Sequence, residues 1–218
     1  ATENSFIGFR VLANSSGKKI DWIPMKDYAY DLDAMAKAIH RNTKIIYLAN
    51  PDNPTGSYFN KEQFDNFINK VPSRCLVILD EAYYEYASSL NDYPDSMHYR
   101  YDNVITLRTF SKAYGLAGLR VGYGFAHKDL ISNIMKVKLP FEPSVLAQDA
   151  ATAALDDKEH LARTLDENLI QGSKFKETLD ALGLKYIPSV ANFITLVFNN
   201  ENEAKLFSDR FLEAGIIL

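Results

Sequence analysis

Cysteine is nearly absent from this chain, with Cys75 the only one among 218 residues. A single cysteine excludes an intrachain disulfide, and because Cys75 opens an apolar run we interpret it as a small core residue. Long apolar runs are missing too, since none approaches the ~20 residues that a membrane-spanning helix requires. The first residues have no leader pattern. We therefore expect a cytoplasmic protein that does not interact with a membrane.

An excess of charge of one sign is missing as well. The 24 Lys and Arg residues nearly balance the 28 Asp and Glu residues, for a net charge of −4. This balance offers no electrostatic basis for binding nucleic acid or an anionic membrane. Hydrophobic residues make up 47% of the chain and charged residues 24%, which is typical of a globular protein with a sizeable core.

The order of apolar runs and helical patterns defines the expected fold. An apolar run at 45–48 precedes a helical pattern that begins at Asn60, and the continuously apolar run 76–79 follows. Strand, helix and strand in this order imply a right-handed crossover and a parallel sheet, with the 76–79 strand buried on both faces. We therefore predict an α/β lobe, in which ligands collect at the carboxyl ends of the strands.

A second lobe is expected in the last third of the chain. Pro140 and Pro143 interrupt the pattern and mark a candidate hinge, so we place a large α/β domain at 1–140 and the remainder at 141–218. The remainder begins with a long bridging helix, interrupted near 156–157, and continues as part of a smaller α+β domain.

The remaining segments have less specific patterns. Residues 84–101 are rich in tyrosine and acidic side chains, and we interpret them as a long surface excursion whose tyrosines form either an interface or amphipathic packing. His40 lies near the end of a predicted helix, where we expect it to contact terminal carbonyls rather than a metal. Further helices are predicted at 10–16, 31–40, 128–136 and 201–213, and further strands at 19–24, 121–126, 185–187 and 193–198.

The stretch from Asn103 to Phe125 carries the most chemistry. A short apolar run delivers polar side chains to a loop punctuated by glycines, as a strand followed by a loop would. Thr109 and Ser111 flank the approach to Lys112. Arg120 follows the lysine, so two hydroxyls and a guanidinium converge on an anion beside an amine. An amine beside a phosphate site indicates pyridoxal phosphate, whose aldehyde forms a Schiff base with lysine.

Taken alone, this stretch also fits a solvated surface lysine beside turn glycines, but two other stretches agree with the chemical interpretation. After the 45–48 run, prolines fix a rigid loop from which Asn53 points an amide at a ligand, the alternative being a simple turn asparagine. Asp80 ends the 76–79 run, where a carboxylate pairs with a protonated pyridine nitrogen. Tyr83 is placed to hydrogen-bond the ring hydroxyl.

Asp80 and Glu81 allow a second interpretation, an acidic metal-binding pair like those that end nucleotidase strands. No glycine-rich GKS or GKT phosphate loop accompanies them, so we rank this alternative lower and expect no metal. A nucleotide-binding α/β protein of that kind would show no lysine-linked chromophore.

The motifs NPDNPTG, LDEAYYEY and TFSKAYGLAGLRVGY together resemble the signature of fold-type I pyridoxal-phosphate aminotransferases, most closely the histidinol-phosphate aminotransferase branch. The resemblance covers nearly the whole chain in the same order. It implies a three-layer α/β sandwich with a mostly parallel sheet, plus part of a smaller α+β domain. It also implies that the chain is a core fragment, without the family's N-terminal segment and its late substrate-binding arginines.

The resemblance gives each motif residue a role. Lys112 matches the Schiff-base lysine and Asp80 the partner of the pyridine nitrogen, and both are expected to be catalytic together with Tyr83. The other implied cofactor contacts are Asn53 and Tyr83 at the ring oxygen, Thr109, Ser111 and Arg120 around the phosphate, and Phe6 stacked on the ring. A buried core residue is the alternative for Phe6. Asn192 resembles a substrate-side asparagine.

The activity that the resemblance implies is the transfer of an amino group between an amino substrate, here L-histidinol phosphate, and 2-oxoglutarate. This would place the intact protein in histidine biosynthesis as a cytoplasmic homodimer without nucleic-acid partners. The alternatives are another enzyme with the same cofactor, such as an aromatic aminotransferase or a threonine-phosphate decarboxylase, and an aminotransferase-like effector-binding domain without catalysis.

Overall fold

A computed structural model describes residues 1–98 and 101–218 of the chain. Its strands are β1 (Ile45–Ala49), β2 (Leu76–Asp80), β3 (Val104–Thr109) and β4 (Gly122–Ala126). Its α-helices are α1 (Ile7–Ser15), α2 (Leu32–Lys37), α3 (Lys61–Ile68), α4 (Tyr84–Ala87), α5 (Lys128–Met135), α6 (Val145–Asp156), α7 (Lys158–Ala181) and α8 (Glu201–Glu213). Short 3-10 turns cover Ser96–His98 and Ala117–Leu119. Within the two described ranges, no helix is both long and apolar enough to cross a membrane.

The strands form one sheet in the order β1-β2-β3-β4. β1, β2 and β3 run parallel, and β4 pairs antiparallel with β3. In this register Ala49, Asp80 and Leu107 lie side by side near the carboxyl ends of the parallel strands. The expectation of an α/β fold with a mostly parallel sheet is confirmed.

One face of the sheet carries the main core, because α2 and α3 cover it. Helix α3 begins with a capping box, in which the Asn60 and Gln63 side chains each accept a hydrogen bond from the other residue's backbone N–H; such a start satisfies N–H groups that have no partner in the first turn. The predicted helix start is therefore confirmed. The buried cluster includes Leu32, Met35, Ile46, Leu48, Phe64, Phe67, Ile68, Val77, Leu79 and Val104.

The other face of the sheet is less covered than the sequence predicts. Val77 and Leu79 on β2 are fully buried, whereas Leu76, Ile78 and Asp80, which alternate with them, are only half-buried. Burial of this strand on both faces is therefore a wrong prediction, because every second residue of β2 lies on a face that is less fully covered. The more open side lets Asp80 face a cavity.

Three predicted strands are not strands. Residues 19–24 pair only at Ile23, in an isolated parallel bridge with Thr2. Residues 185–187 and 193–198 meet in one antiparallel bridge between Tyr186 and Leu196. A strand requires a ladder of consecutive hydrogen bonds, and none of these segments has a partner long enough to form one.

Residues 84–98 are packed into the structure, which corrects the prediction of a surface excursion. Tyr93 is buried, and its hydroxyl donates a hydrogen bond to the Asn50 carbonyl oxygen. The Tyr84 ring meets the Tyr93 ring edge-on at 5.9 Å. Tyr84 and Tyr93 thus pack against each other within the chain. The last part of the predicted segment, 99–100, lies outside the described residues.

Two short-range predictions also need correction. The first helix begins at Ile7 rather than at residue 10. His40 does not contact helix-end carbonyls with its ring, because its Nε2 lies 2.9 Å from the Asp21 carboxylate. A carboxylate within hydrogen-bond distance is a stronger partner for an imidazole than a carbonyl is.

The C-terminal helices follow the sequence pattern closely. Asp157 ends α6 and caps α7, since its side chain accepts a hydrogen bond from the His160 N–H at 2.9 Å; the predicted interruption is confirmed. Beyond α7 the chain reaches the loop that follows β1, where the Val190 N–H donates to the Gly56 carbonyl at 3.0 Å. This contact joins the C-terminal part to the loop that carries Asn53. The domain boundary after residue 140 stays a prediction.

Candidate active site

A cavity of about 370 Å³ opens at the carboxyl ends of β1, β2 and β3. Such edges collect ligands because several loops and strand ends converge there. All eight residues proposed as cofactor contacts line this cavity: Phe6, Asn53, Asp80, Tyr83, Thr109, Ser111, Lys112 and Arg120. The structure therefore brings Phe6 and Arg120, which are more than 100 positions apart in the sequence, to the same cavity. The chemical roles of these residues stay predictions.

Asp80 forms the floor of the cavity. Its Oδ2 accepts a hydrogen bond from the Tyr47 hydroxyl at 2.7 Å, and its Oδ1 accepts one from the Ala82 N–H at 3.2 Å. Burial raises the pKa of the Asp80 carboxyl, while these two hydrogen bonds and the charge of Lys112 oppose that rise. Hydrogen bonds to a carboxylate favour its charged form. Asp80 is thus a half-buried acid whose ionised form is favoured by three neighbours.

Lys112 extends from the loop that follows β3. Its neighbours Phe110 and Ala113 are buried and anchor the loop, whereas Lys112 itself is half-buried. Its Nζ lies 5.2 Å from the centre of the Tyr83 ring. Within the described residues Lys112 has no carboxylate at ion-pair distance. Its amine is therefore available to a ligand in the cavity.

Asn53 and Tyr83 form a polar pair on the β1 side of the cavity. The Asn53 Nδ2 donates to the Tyr83 hydroxyl at 3.1 Å. The Phe193 ring meets the Tyr83 ring edge-on at 5.1 Å, so the C-terminal part supports the tyrosine from behind. The hydrogen bond and the ring contact thus hold a hydroxyl and an amide side by side at the cavity.

The loop around Asn53 is fixed by a buried carboxylate. Asp52 is fully buried, and it accepts hydrogen bonds from the Ser5 hydroxyl at 2.6 Å and the Thr55 hydroxyl at 2.9 Å. Burial raises the pKa of Asp52, and these donors oppose the rise. The loop that carries Asn53 is therefore held by hydrogen bonds to its neighbour Asp52.

Thr109, Ser111 and Arg120 border the far side of the cavity. The Ser111 N–H donates to the Thr109 hydroxyl at 3.1 Å, which shapes the turn leading to the lysine. Arg120 is exposed, has a backbone φ of 54° and donates to the Ala117 carbonyl at 2.8 Å. Among the described residues no carboxylate lies at ion-pair distance from its guanidinium. A guanidinium without a carboxylate partner suits an anion such as a phosphate.

Glu81 does not join Asp80 in an acidic pair. Its carboxylate is fully buried and lies 2.8 Å from the Arg108 guanidinium, and Glu81 is not among the residues that line the cavity. A metal would have to compete with that arginine. In the described part of the chain no group of three or more potential ligands could hold an ion. The alternative of an acidic metal pair is therefore not supported by the geometry.

The structure decides the alternatives for Phe6 and Asn192 and adds Tyr47 to the residues that line the cavity. Phe6 is 42% exposed at the cavity, which excludes the alternative of a buried core phenylalanine. Asn192 is exposed and is not part of the cavity lining. Sequence analysis did not identify Tyr47, although it shares a strand face with Ala49, and this alternation is the signal that would have located it.

The fold and the site together define an α/β protein in which Lys112 and Asp80 line one cavity at the carboxyl ends of the parallel strands. Residues 5–218 match the model of the family "Aminotransferase class I and II", and the chain belongs to that family. The expected family and fold are confirmed.

The relatives and solved structures similar to this chain carry consistent names. A histidinol-phosphate aminotransferase 2 of Carboxydothermus hydrogenoformans is 46% identical over 199 residues, which are 90% of this chain and 54% of the relative. A histidinol-phosphate aminotransferase of Geobacillus is 45% identical over 98% of this chain and 58% of its own length. The crystal structure of histidinol-phosphate aminotransferase from Sinorhizobium meliloti in complex with pyridoxal-5'-phosphate superposes with a TM-score of 0.94 at 32% identity, covering 100% of this chain and 60% of that one. The chain thus spans a little over half the length of these proteins.

Proposed function

We propose that the intact protein is a pyridoxal-phosphate-dependent aminotransferase that moves an amino group between an amino substrate and a 2-oxo acid. The observation that carries this proposal is the presence of Lys112 and Asp80 in one cavity, with the Asn53 and Tyr83 pair beside them. The family membership and the relatives' names support it.

The side chains fit pyridoxal phosphate group by group. Lys112 offers an amine to its aldehyde, and Asp80 offers a carboxylate to its ring nitrogen. The Tyr83 hydroxyl and the Asn53 amide suit the ring oxygen. Arg120, with the nearby hydroxyls of Thr109 and Ser111, suits the phosphate, because a cation and hydroxyl donors together favour a doubly charged anion.

When bound, pyridoxal phosphate supplies a protonated heterocycle that absorbs the negative charge left when a proton leaves the substrate. Asp80 would pair with the ring nitrogen and favour its protonated form, and the contacts with Tyr47, Ala82 and Lys112 favour the ionised carboxylate that this pairing requires. The Lys112 amine would accept the substrate proton as a general base and return it as a general acid. Phe6 covers one side of the cavity.

The proposed amino substrate is L-histidinol phosphate, with 2-oxoglutarate as the acceptor, in histidine biosynthesis. The names of the relatives support this choice. We further propose that the intact protein is a cytoplasmic homodimer. Product analysis separates the alternatives, because a decarboxylase releases an amine without the transfer of an amino group, and an effector-binding domain yields no product.

Covalent labelling tests the proposal. The protein is incubated with pyridoxal phosphate, reduced with borohydride and mapped by peptide mass spectrometry. We expect the label on Lys112, its loss in Lys112→Ala, and its retention in Lys174→Ala, which removes an exposed lysine of α7. Labelling at another lysine, or full multiple-turnover transamination by Lys112→Ala, would contradict the assignment.

A further inference from the structure

Tyr47 faces the cavity although no catalytic role is assigned to it. Side chains alternate along a strand, so Tyr47 and Ala49 of β1 share one face, and the β1-β2 register sets Ala49 beside Asp80. A tyrosine is long enough to reach forward along this face to the strand end. The Tyr47 hydroxyl does so and meets Asp80 Oδ2 at 2.7 Å.

The direction of this hydrogen bond is determined by its chemistry. Burial and the neighbouring carboxylate of Asp80 raise the pKa of the Tyr47 phenol well above its ordinary value, so the phenol keeps its proton at neutral pH. The carboxylate has no proton to offer when ionised. Tyr47 therefore donates, and a donor to a carboxylate favours the charged form over the protonated form.

The tyrosine ring is held in place from its other side. Only 4% of Tyr47 is exposed, and its ring stacks on Phe9 of α1 with a centroid distance of 4.5 Å and an interplanar angle of 12°. Stacked aromatic rings resist rotation, so the hydroxyl is presented to Asp80 in one orientation. With the Ala82 N–H on the other oxygen, both carboxylate oxygens are fixed.

We propose that Tyr47 is a positioning residue that holds Asp80 ionised and correctly oriented toward the ring nitrogen of the cofactor. This inference rests on the proposed function for its purpose, but its physical content concerns Asp80 alone. The other titratable or charged groups around the pair are Tyr30, Asp52, Tyr83 and Lys112. Of these, Lys112 also favours the ionised form of Asp80 through its positive charge.

Tyr47→Phe removes one oxygen atom and keeps the stacking on Phe9. A matched control is Tyr58→Phe, because the Tyr58 hydroxyl donates to Asp92 at 3.0 Å in an exposed pair remote from the cavity. The first measurement is the titration of the Asp80 carboxyl carbon by NMR in cofactor-free protein, assigned with Asp80→Asn. We expect the midpoint to rise by about one pH unit or more in Tyr47→Phe, since a hydrogen bond to a charged group contributes about 1.5–3 kcal/mol, and to stay unchanged in Tyr58→Phe.

The second measurement is the dissociation constant of pyridoxal phosphate from pH 6 to pH 8, followed by absorbance. We expect binding by Tyr47→Phe to be about 10-fold weaker or more, with a deficit that grows as the pH falls, because Asp80 without its donor gains a proton more readily. A role limited to packing would give a deficit that does not vary with pH.

These measurements distinguish a failure of the role proposed for Tyr47 from a failure of the proposed function. An Asp80 titration in Tyr47→Phe that matches wild type overturns the role of Tyr47, whatever the cofactor does. Absence of any cofactor binding by wild type overturns the proposed function, while the titration still decides the role of Tyr47. Should Tyr47→Phe fail to fold, Phe9→Leu keeps the hydroxyl but removes its support, and we expect a smaller rise in the Asp80 midpoint; no rise at all would overturn the inference.

Discussion

Arg108 and Glu81 form a buried ion pair in which the guanidinium Nη2 lies 2.8 Å from the carboxylate Oε2. The pair links the end of β2 to β3, and each partner is the sequence neighbour of a cavity residue, Asp80 or Thr109. Arg108 also contacts Asp95 at 3.0 Å and lies 3.3 Å from the centre of the Tyr84 ring. One arginine beside the cavity therefore ties together β3, the end of β2 and the segment that contains Tyr84 and Asp95.

Replacing Arg108 with Met should destabilise the protein by about 3–5 kcal/mol, because it leaves the Glu81 carboxylate buried without its cation. Urea denaturation gives the free energy of unfolding. The double variant Glu81→Gln/Arg108→Met should recover much of the loss, since no uncompensated charge is then buried. A single-variant cost below about 1 kcal/mol, typical of an exposed pair, would contradict this account.

The site was easier to predict from the sequence than the packing around it. Asn53, Asp80 and Lys112 each follow an apolar run, and parallel strands bring such positions to one edge whatever the details of the core. Local signals were equally reliable: Asn60 and Asp157 cap helices through atoms three residues away.

Contacts between distant segments were not predictable in this way. Tyr93 donates to the Asn50 carbonyl across 43 positions, and His40 pairs with Asp21 across 19. No periodicity encodes such a partner, because periodicity reports only which face a residue occupies. Sequence pattern alone therefore predicts a surface position for residues 84–101 and does not identify the contact between Tyr47 and Asp80.

Glu85 should make stability depend on pH. It is 6% exposed, and burial raises the pKa of its carboxyl to about 7, from an ordinary value of 4.5. Between these values the folded state binds more protons than the unfolded state, so the free energy of unfolding falls as pH rises through this window and levels off above it. The contribution of Glu85 is at most on the order of 3 kcal/mol.

Urea midpoints at pH 5 and pH 8 test this. Glu85→Gln should reduce the loss of stability between the two pH values, but not remove it, because burial also raises the pKa of Glu81 to about 7. Glu177→Gln, at an exposed position of α7, serves as the control and should leave the pH dependence unchanged. A variant at Glu85 with the wild-type pH dependence would show that this carboxyl is not perturbed by folding.

Gly56 is required where the C-terminal part meets the Asn53 loop. Its φ is +70°, and a Cβ added there would lie 2.5 Å from the Ser189 Cβ. Gly56→Ala should therefore destabilise the protein by more than about 1 kcal/mol through both backbone strain and overlap. Gly172→Ala is the matched control, because Gly172 lies inside α7 with open space around it, and it should stabilise the helix by up to about 1 kcal/mol.

Thermal or urea denaturation should show that Gly56→Ala is less stable than the wild type and that Gly172→Ala is more stable. The double variant Gly56→Ala/Ser189→Gly removes the clash with the Ser189 side chain but leaves the Cα of residue 189 at 3.0 Å and keeps the positive φ, so it should recover only part of the loss. Complete recovery would mean that the backbone conformation at Gly56 costs alanine nothing.

Asp80→Asn tests the electrostatic part of the proposed chemistry in the intact protein. Asparagine keeps the size of the side chain and can still accept from Tyr47, but it carries no charge to hold a ring nitrogen protonated. A hydrogen bond to a charged group is worth about 1.5–3 kcal/mol, so we expect transamination to slow by about 10–100-fold or more. Single-turnover rates measured with the amino substrate separate this effect from weaker cofactor binding, which saturating pyridoxal phosphate removes. Labelling of Lys112 should persist in this variant, because the amine does not depend on the charge of Asp80 to meet an aldehyde; a single-turnover rate near wild type would instead assign the ring-nitrogen partner to another group.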